Sequence, residues 1–225
     1  MRTILYIDGY NLYYGLLKNS PYKWLDICRL FTRLLHEQNP SNNLLKVVYF
    51  TAPAKANMAS HGAASAQAQQ TYHQALQHLY KEQLDIQLGR HSVQALPLPA
   101  YQKGEPCNKQ VKQWVWLMEE KETDVNIAIQ MYRDGIKSHC DQVVLCSNDS
   151  DLSPAIKAIA EDLPHIKLGV ILPIPLHSQN RRPSHALTTY ANWVRKGIAS
   201  KELEEAQLPK LIPTHKKPIR KPPHW

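Results

Sequence analysis

Short, nearly continuous apolar runs are the feature that most restricts how this chain can fold. They span residues 3–7, 45–50, 142–146 and 167–172, and each ends at a polar or turn-forming residue. Runs of this length are typical of strands buried on both faces, as in a parallel sheet. A further segment, 84–88, alternates apolar and polar residues and predicts an edge strand. Most of the sheet is therefore expected to lie inside the protein.

Helical patterns lie between these runs. Apolar side chains recur at helical spacing within residues 72–80 and from about 123 to 132. The Ser-Pro pair that opens residues 153–162 predicts a helix with a serine N-cap and a proline in its first turn. A last helix is predicted over residues 187–198. Strands that alternate with helices favour a doubly wound α/β sheet.

The composition is consistent with one domain and a charged tail. Hydrophobic residues make up 43% of the 225 residues, enough for the core of one α/β domain. The net charge is +8, but residues 209–225 contain five Lys or Arg and no acid, so the charge without them is +3. We expect a domain over 1–200 and a flexible, basic, Pro-rich tail over 201–225. Such a tail either binds a polyanion or serves as a solubilising terminus.

The sequence predicts a soluble, cytosolic protein. The apolar run that follows Met1 is too short for a signal peptide. No apolar run approaches the roughly 18 residues that a membrane span requires. The four cysteines have no CxxC spacing and are expected to be free thiols: Cys28, Cys107, Cys140 and Cys146.

Residues 95–113 are predicted to be an irregular segment. Three prolines and a glycine interrupt this stretch, which also carries Lys103, Lys109 and Lys112. Loops of this length in compact domains are usually functional or disordered. The segment is therefore interpreted as a flap that contacts substrate or as a mobile insertion.

Aspartates lie where a binding site is expected in such a fold. Asp8 follows the first strand, Asp149 and Asp151 follow the strand over 142–146, and Asp124 opens a helix. In open α/β sheets, ligands bind beyond the carboxyl ends of the strands. If the two strands are neighbours, these carboxylates converge at one edge of the sheet.

Converging carboxylates repel one another unless a cation lies between them. A ligand set of oxygens alone, without Cys or His, indicates Mg²⁺ or Mn²⁺ rather than zinc. Such an ion polarises a phosphodiester and lowers the pKa of a bound water. Asn11 and Ser147 are expected to orient that water or a carboxylate by hydrogen bonding. An aspartate at such a position, taken alone, is more often a turn or N-cap residue, and it is the combination that favours a metal site.

Other phosphate chemistries fit the strand ends less well. The sequence contains neither GxGxxG nor GxxxxGK[ST], which disfavours dinucleotide-binding and P-loop proteins. A phosphatase of the haloacid dehalogenase type would have an aspartate where Tyr10 stands. A Toprim fold would have a glutamate in place of Asp8.

Three segments together resemble the signature segments of NYN domains, which belong to the PIN-like nuclease superfamily. They are Ile7–Leu12, Glu120–Val125 and Cys146–Leu152, in the family's order, and the resemblance extends from about residue 3 to 198. It implies a three-layer α/β/α fold with a central parallel sheet of order 3-2-1-4-5. It also implies a divalent metal and endonucleolytic cleavage of RNA.

The resemblance assigns roles to matching positions. The metal ligands it implies are Asp8, Asp124, Asp149 and Asp151. Asn11 and Ser147 match the polar residues that support them, and Lys121 matches a basic position suited to phosphate. Asn148 stands where many members have glycine, and asparagine also tolerates left-handed backbone geometry.

The function expected from these observations is metal-dependent endonucleolytic cleavage of RNA. Basic residues expected to hold the RNA backbone are Lys103, Lys109, Lys112, Lys121, Arg181 and Arg182. The main alternative is a non-catalytic RNA-binding or scaffold protein on the same fold. A phosphatase or a DNA nuclease is a third possibility, and a homo-oligomer is left open.

Overall fold

The computed structural model describes residues 1–176 and 183–225. In chain order its elements are β1 (Arg2–Asp8), α1 (Gly9–Leu12), a π-helical turn (Tyr13–Leu17), α2 (Ile27–Gln38), β2 (Asn43–Thr51), α3 (Ala63–Leu79), β3 (Leu84–Leu88), β4 (Arg90–Pro99), β5 (Lys112–Lys121), α4 (Thr123–Ile136), β6 (Gln142–Cys146), a 3₁₀ turn (Ser150–Leu152), α5 (Ser153–Asp162), β7 (Lys167–Ile171), α6 (His185–Thr188), β8 (Trp193–Arg195), α7 (Ser200–Glu205), β9 (Leu211–Ile212) and β10 (Ile219–Arg220).

Within the described residues, six parallel strands form the central sheet in the order β3-β2-β1-β6-β7-β8. The expected order 3-2-1-4-5 is confirmed when the β4–β5 hairpin, which forms a separate sheet, is set aside, and β8 adds one strand. The strand over 84–88 lies at the sheet edge, as its alternation predicts. Because β1 lies between β2 and β6, both of its edges are hydrogen-bonded to neighbouring strands.

The strand β1 shows how the three layers form. Leu5 and Ile7 point to the cluster formed with α2 and α3, whereas Ile4 and Tyr6 point to the cluster formed with α4 and α5. All four are 5% exposed or less. Full burial of one such side chain contributes about 1.5–3 kcal/mol. The continuous apolar run in the sequence therefore reflects helices on both faces of the sheet.

The last predicted helix, over residues 187–198, is wrong. The helix α6 ends at Thr188, and β8 pairs in parallel with β7. The indole of Trp193 packs onto Gly169, where an added Cβ would lie 2.1 Å from Trp193 Cζ2. Trp193 Nε1 also donates to Gln142 Oε1 at 3.0 Å. These contacts between distant segments override the local helical spacing.

The segment 95–113 is irregular over 100–111, as predicted, whereas its ends, 95–99 and 112–113, belong to two strands that the sequence did not predict. Strands β4 and β5 pair antiparallel over ten residues each, and only the loop over 100–111 joins them. Pro97 and Pro99 are compatible with β4 because this strand has a single hydrogen-bonded neighbour among the described residues. We call this hairpin, Arg90–Lys121, the arm.

The tail over 201–225 packs against the domain, in contrast to the flexible tail expected. Ile212 is 1% exposed, and the Trp225 ring lies 6.4 Å from Trp24 and 5.2 Å from Tyr72, measured between centroids. The cysteines are free thiols, as expected. Among the described residues, no helix combines the length and apolar character needed to cross a bilayer.

Asp134 on α4 is a buried carboxylate that accepts three hydrogen bonds. Its donors are Tyr6 Oη at 2.6 Å, Gln130 Nε2 at 2.8 Å and His139 Nδ1 at 2.9 Å. Burial raises the pKa of Asp134, but these hydrogen bonds outweigh burial, so the pKa lies below its usual value. The carboxylate thus holds β1 and α4 together in its charged form.

We expect Asp134→Asn to lower the free energy of unfolding at pH 7 by about 1–3 kcal/mol, because the Tyr6 hydroxyl loses a charged acceptor. The stability that the Asp134 charge contributes is fully present above the ordinary aspartate pKa of about 3.9. It is lost as the pH falls through the lower pKa that Asp134 has in the folded protein. Urea denaturation at pH 7 and pH 3 measures both effects. Asp162→Asn, which changes an exposed carboxylate bonded to Tyr132, is the matched control. Equal stabilities of the two variants at pH 7 would contradict the assignment.

Candidate metal centre

Asp8 is held at the carboxyl end of β1 by two neighbouring side chains. It is 2% exposed. Its Oδ1 accepts from Asn11 N at 2.9 Å, and its Oδ2 accepts from Asn11 Nδ2 and Ser147 Oγ, each at 2.8 Å. Gly9 lets the chain pass this close to β2, since an added Cβ would lie 2.5 Å from the Phe50 carbonyl oxygen. Asn11 and Ser147 therefore orient this carboxylate.

Asp149 reaches the same edge because β6 is the neighbour of β1. Ile7 and Cys146 lie side by side at the ends of these strands. Three residues on, Asp149 N donates to Ser147 Oγ at 3.0 Å, and Asp149 Oδ1 accepts from Asp151 N at 3.0 Å. The carboxylate of Asp149 caps the turn that leads into α5. The same side chain therefore caps a turn and brings a carboxylate to the edge of the sheet where Asp8 lies.

Asp124 completes a group of three carboxylates. It lies in the first turn of α4, which follows Glu122 in the left-handed region at φ 78°. One oxygen from each of Asp8, Asp124 and Asp149 lies within 4.8 Å of the others. Asp151, which is exposed, lies outside this group, although its charge acts on Asp124.

The electrostatics of this group are unfavourable in the absence of a cation. Burial, followed by the charges of Asp8, Asp149 and Asp151, raises the pKa of Asp124 to about 6. Burial also raises the pKa of Asp8, although the hydrogen bonds from Asn11 and Ser147 oppose this shift. Asp8, Asp124 and Asp149 form no ion pair with any residue that the structure describes.

This donor set fits a divalent cation. Three oxygens at this separation can face one ion, and carboxylate oxygens are the ligands that Mg²⁺ and Mn²⁺ prefer. The hydrogen bonds to Asp8 fix its orientation before an ion binds. Residues that hydrogen-bond to metal ligands have this effect in many metal sites. Asp8, Asp124 and Asp149 would hold the ion.

The basic residues expected to contact RNA lie at different distances from this centre. Lys121 ends β5, three residues before Asp124, and its Nζ lies 3.0 Å from Glu119 Oε2. Lys112 begins β5, at the far end of the arm, about 30 Å from Lys121 at the rise of an extended strand. Lys103 and Lys109 lie in the loop beyond it. Arg181 and Arg182 fall outside the described residues.

Two residues beside the centre were missed in the sequence. Glu120 is partly buried, accepts from Thr123 Oγ1, and its charge raises the pKa of Asp8 after the effect of burial. His91 pairs with Glu120 across the arm, and its ring centroid lies 6.2 Å from that of Tyr10. Glu120 stands within a run of charged residues, which resembles a solvated strand. The pairing of β4 with β5, which places His91 here, cannot be predicted from the residues around His91 alone.

The fold and this centre define a PIN-like α/β protein with an acidic cluster at the carboxyl edge of its sheet. The sequence model of the NYN domain family matches residues 2–173. The chain belongs to the NYN domain family.

Individual proteins also resemble the chain. It is 35% identical over 240 residues to the 6-hydroxy-3-succinoylpyridine 3-monooxygenase HspA of Pseudomonas putida, a match that covers 100% of this chain and 75% of the relative. The crystal structure of a protein of unknown function from Vibrio parahaemolyticus matches with a TM-score of 0.51 and 14% identity. That match covers 88% of this chain and 93% of the other, and it concerns the fold alone.

Proposed function

We propose that this protein is a metal-dependent endoribonuclease that hydrolyses RNA phosphodiester bonds in the cytosol. The observation that carries the proposal is the group formed by Asp8, Asp124 and Asp149, whose oxygens lie within 4.8 Å of one another without a cationic partner among the described residues. Membership of a family with a nuclease-type fold supports the same chemistry.

Each residue at the centre has a defined task in this proposal. Asp8, Asp124 and Asp149 would hold Mg²⁺ or Mn²⁺, which when bound supplies Lewis-acid polarisation of the phosphodiester and a lowered pKa for a coordinated water. Asn11 and Ser147 hold the Asp8 carboxylate in one orientation by hydrogen bonding. Asp151 adds negative charge at the solvent-exposed side, from which it can orient a water.

Cations for the RNA backbone lie beside these carboxylates. Arg90, His91, Lys121 and Asn126 line an open cavity next to the start of α4. Lys121 and Arg90 each pair with a glutamate that remains at least 40% exposed, so a phosphate can compete for them. Contacts of this kind make affinity for RNA depend on salt.

A second candidate function is suggested by the name of the Pseudomonas relative. A pyridine monooxygenase inserts one oxygen atom from O₂ and reduces the other to water with two electrons from a reductant. The 35% identity favours testing this reaction. A chain with this activity would hydroxylate 6-hydroxy-3-succinoylpyridine or a related ring.

One assay separates these functions. We expect purified protein to cleave labelled single-stranded RNA with Mn²⁺ or Mg²⁺ and not with EDTA. The same preparation is incubated with single-stranded DNA, and with 6-hydroxy-3-succinoylpyridine, NADH, flavin and O₂. Chromatography of the products identifies which substrate has reacted.

Three results of this assay would contradict the proposal. Hydroxylation of the pyridine without RNA cleavage would establish the second function in its place. Cleavage confined to DNA would remove the RNA assignment. Salt-dependent RNA binding without cleavage in any metal would identify a binding or scaffold protein.

A further inference from the structure

The arm is a two-stranded sheet that extends from the metal centre. Its strands pair from Arg90 with Lys121 at the base to Pro99 with Lys112 at the far end. No residue of either strand is fully buried, and among the described residues each strand has only the other as its hydrogen-bonded neighbour. Isolated two-stranded sheets are at best marginally stable in water. The arm therefore presents both faces to solvent or to a ligand.

Two tryptophans dominate one face of this arm. Trp114 is 71% exposed and Trp116 is 69% exposed. Because successive side chains of a strand point to opposite faces, residues two apart share a face. Their cross-strand neighbours on that face are Pro97 and Ala95, which are too small to cover an indole. Two exposed indoles side by side form an apolar surface of the kind that marks a binding site.

The same face leads back to the metal centre. The strand alternation that places Trp114 and Trp116 on this face also places Met118 and Glu120 on it. Glu120 accepts a hydrogen bond from the hydroxyl of Thr123, the residue directly before Asp124. From Trp116 to Glu120 the strand extends about 13 Å. A ligand lying on the tryptophans can therefore also reach the carboxylates.

The outer end of the arm carries unpaired positive charge. Lys103, Lys109 and Lys112 are exposed and form no ion pair with any described residue. Glu105 is the single acidic residue among the residues from 99 to 112. Lysines beyond a pair of exposed aromatic rings are the arrangement that binds single strands, with bases on the rings and phosphates on the cations.

We propose that the arm binds single-stranded nucleic acid, which is RNA under the proposed function on which this inference rests. Unpaired bases stack on Trp114 and Trp116, and phosphates contact Lys103, Lys109 and Lys112. The strand then runs along the tryptophan face to the carboxylates. Paired bases cannot present their faces to the indoles, so the arm selects single strands over duplexes.

The first test measures binding without cleavage. Fluorescence anisotropy in EDTA gives the affinity of the full chain for a labelled 12-nucleotide oligo(U), for oligo(dT) of the same length and for a 12-base-pair RNA duplex. We expect oligo(U) to bind most tightly of the three. In the double variant with Trp114→Ala and Trp116→Ala, the affinity for oligo(U) should fall about 5- to 100-fold for each ring removed. Ile136→Ala, which truncates another exposed apolar residue, is the matched control.

The second test concerns the lysines. Replacement of Lys103, Lys109 and Lys112 by glutamine is expected to reduce the slope of log Kd against log salt by about 2, as three lost phosphate contacts on a single strand predict. Circular dichroism checks that every variant remains folded. An unchanged slope would overturn the role of these lysines.

Several results would overturn the inference. One is that the double tryptophan variant binds oligo(U) with the affinity of wild type. Others are that wild type binds the duplex as tightly as oligo(U), or binds oligo(dT) more tightly than oligo(U). Sedimentation that shows a dimer dissociated by the tryptophan substitutions would assign the face to a second copy of the chain. If wild type binds oligo(U) through the arm but cleaves nothing, the proposed function fails and the arm assignment stands. If the arm variants bind and cleave RNA as wild type does, the arm assignment fails and the proposed function stands.

Discussion

Asp149→Asn is expected to reduce metal-dependent RNA cleavage about 100-fold or more, because a bound ion supplies several kcal/mol of charge stabilisation. The substitution removes a ligand charge but keeps the oxygen that accepts from Asp151 N. The turn into α5 should therefore persist. Initial rates of cleavage at a fixed Mn²⁺ concentration measure the effect.

The same variant separates metal binding from folding. Without metal, it relieves repulsion among three carboxylates, so its melting temperature in EDTA should equal or exceed that of wild type. Wild type should gain about 2.7 kcal/mol of stability at a metal concentration 100 times Kd, and the variant much less. Glu161→Gln, which removes an exposed acid on α5, serves as the control. Full activity of Asp149→Asn would show that the carboxylates do not form the active site.

Trp24→Ala is expected to lower the free energy of unfolding by about 3–5 kcal/mol, the usual effect of removing a large buried aromatic ring. Trp24 is fully buried, and its ring lies 5.9 Å from that of Tyr72. Its Nε1 donates to the carbonyl oxygen of Pro209 at 2.9 Å, which attaches the tail to the domain. A loss of this size is a large fraction of the 5–15 kcal/mol that stabilises typical domains. Urea denaturation followed by circular dichroism measures it.

Two other variants divide this effect into its parts. Trp24→Phe keeps an aromatic ring and removes the hydrogen bond to Pro209, so a smaller loss of about 1–3 kcal/mol is expected. Trp116→Ala removes an indole that is 69% exposed and should change stability by less than about 0.5 kcal/mol. If Trp24→Ala were as stable as Trp116→Ala, the packing of the tail onto Trp24 would be wrong.

The sheet was predictable because its signal is local. A run such as 142–146 is apolar throughout since helices cover both faces of its strand, and that burial is visible in the residue types. The positions of Asp8 and Asp149 followed from the same runs, because Asp8 is the last residue of one strand and Asp149 lies three residues after the end of another. That the two aspartates meet depended on one further fact, the pairing of β1 with β6.

The predictions that were wrong concern segments whose structure depends on distant partners. Residues 187–198 have helical spacing, yet Trp193 pairs with Gly169 in a parallel strand. Pro97 and Pro99 indicate a loop, but residues 95–99 belong to β4, which pairs with β5 along its length, and only residues 100–111 form the predicted irregular segment. The tail has too few apolar residues for a core of its own, and it instead adds Ile212 and Trp225 to an existing one.

The sequence alone specified the strands, their alternation with helices and the aspartates at the strand ends. These features depend on residues that are neighbours in the chain, because burial on two faces requires a continuous apolar run and a turn requires polar residues at its end. Tertiary structure alone decided that Asp151 stays outside the group of Asp8, Asp124 and Asp149, and that an arm with exposed tryptophans begins beside this group. The physical reason is that these features arise from contacts between segments far apart in the chain. No local pattern encodes the partner in such a contact.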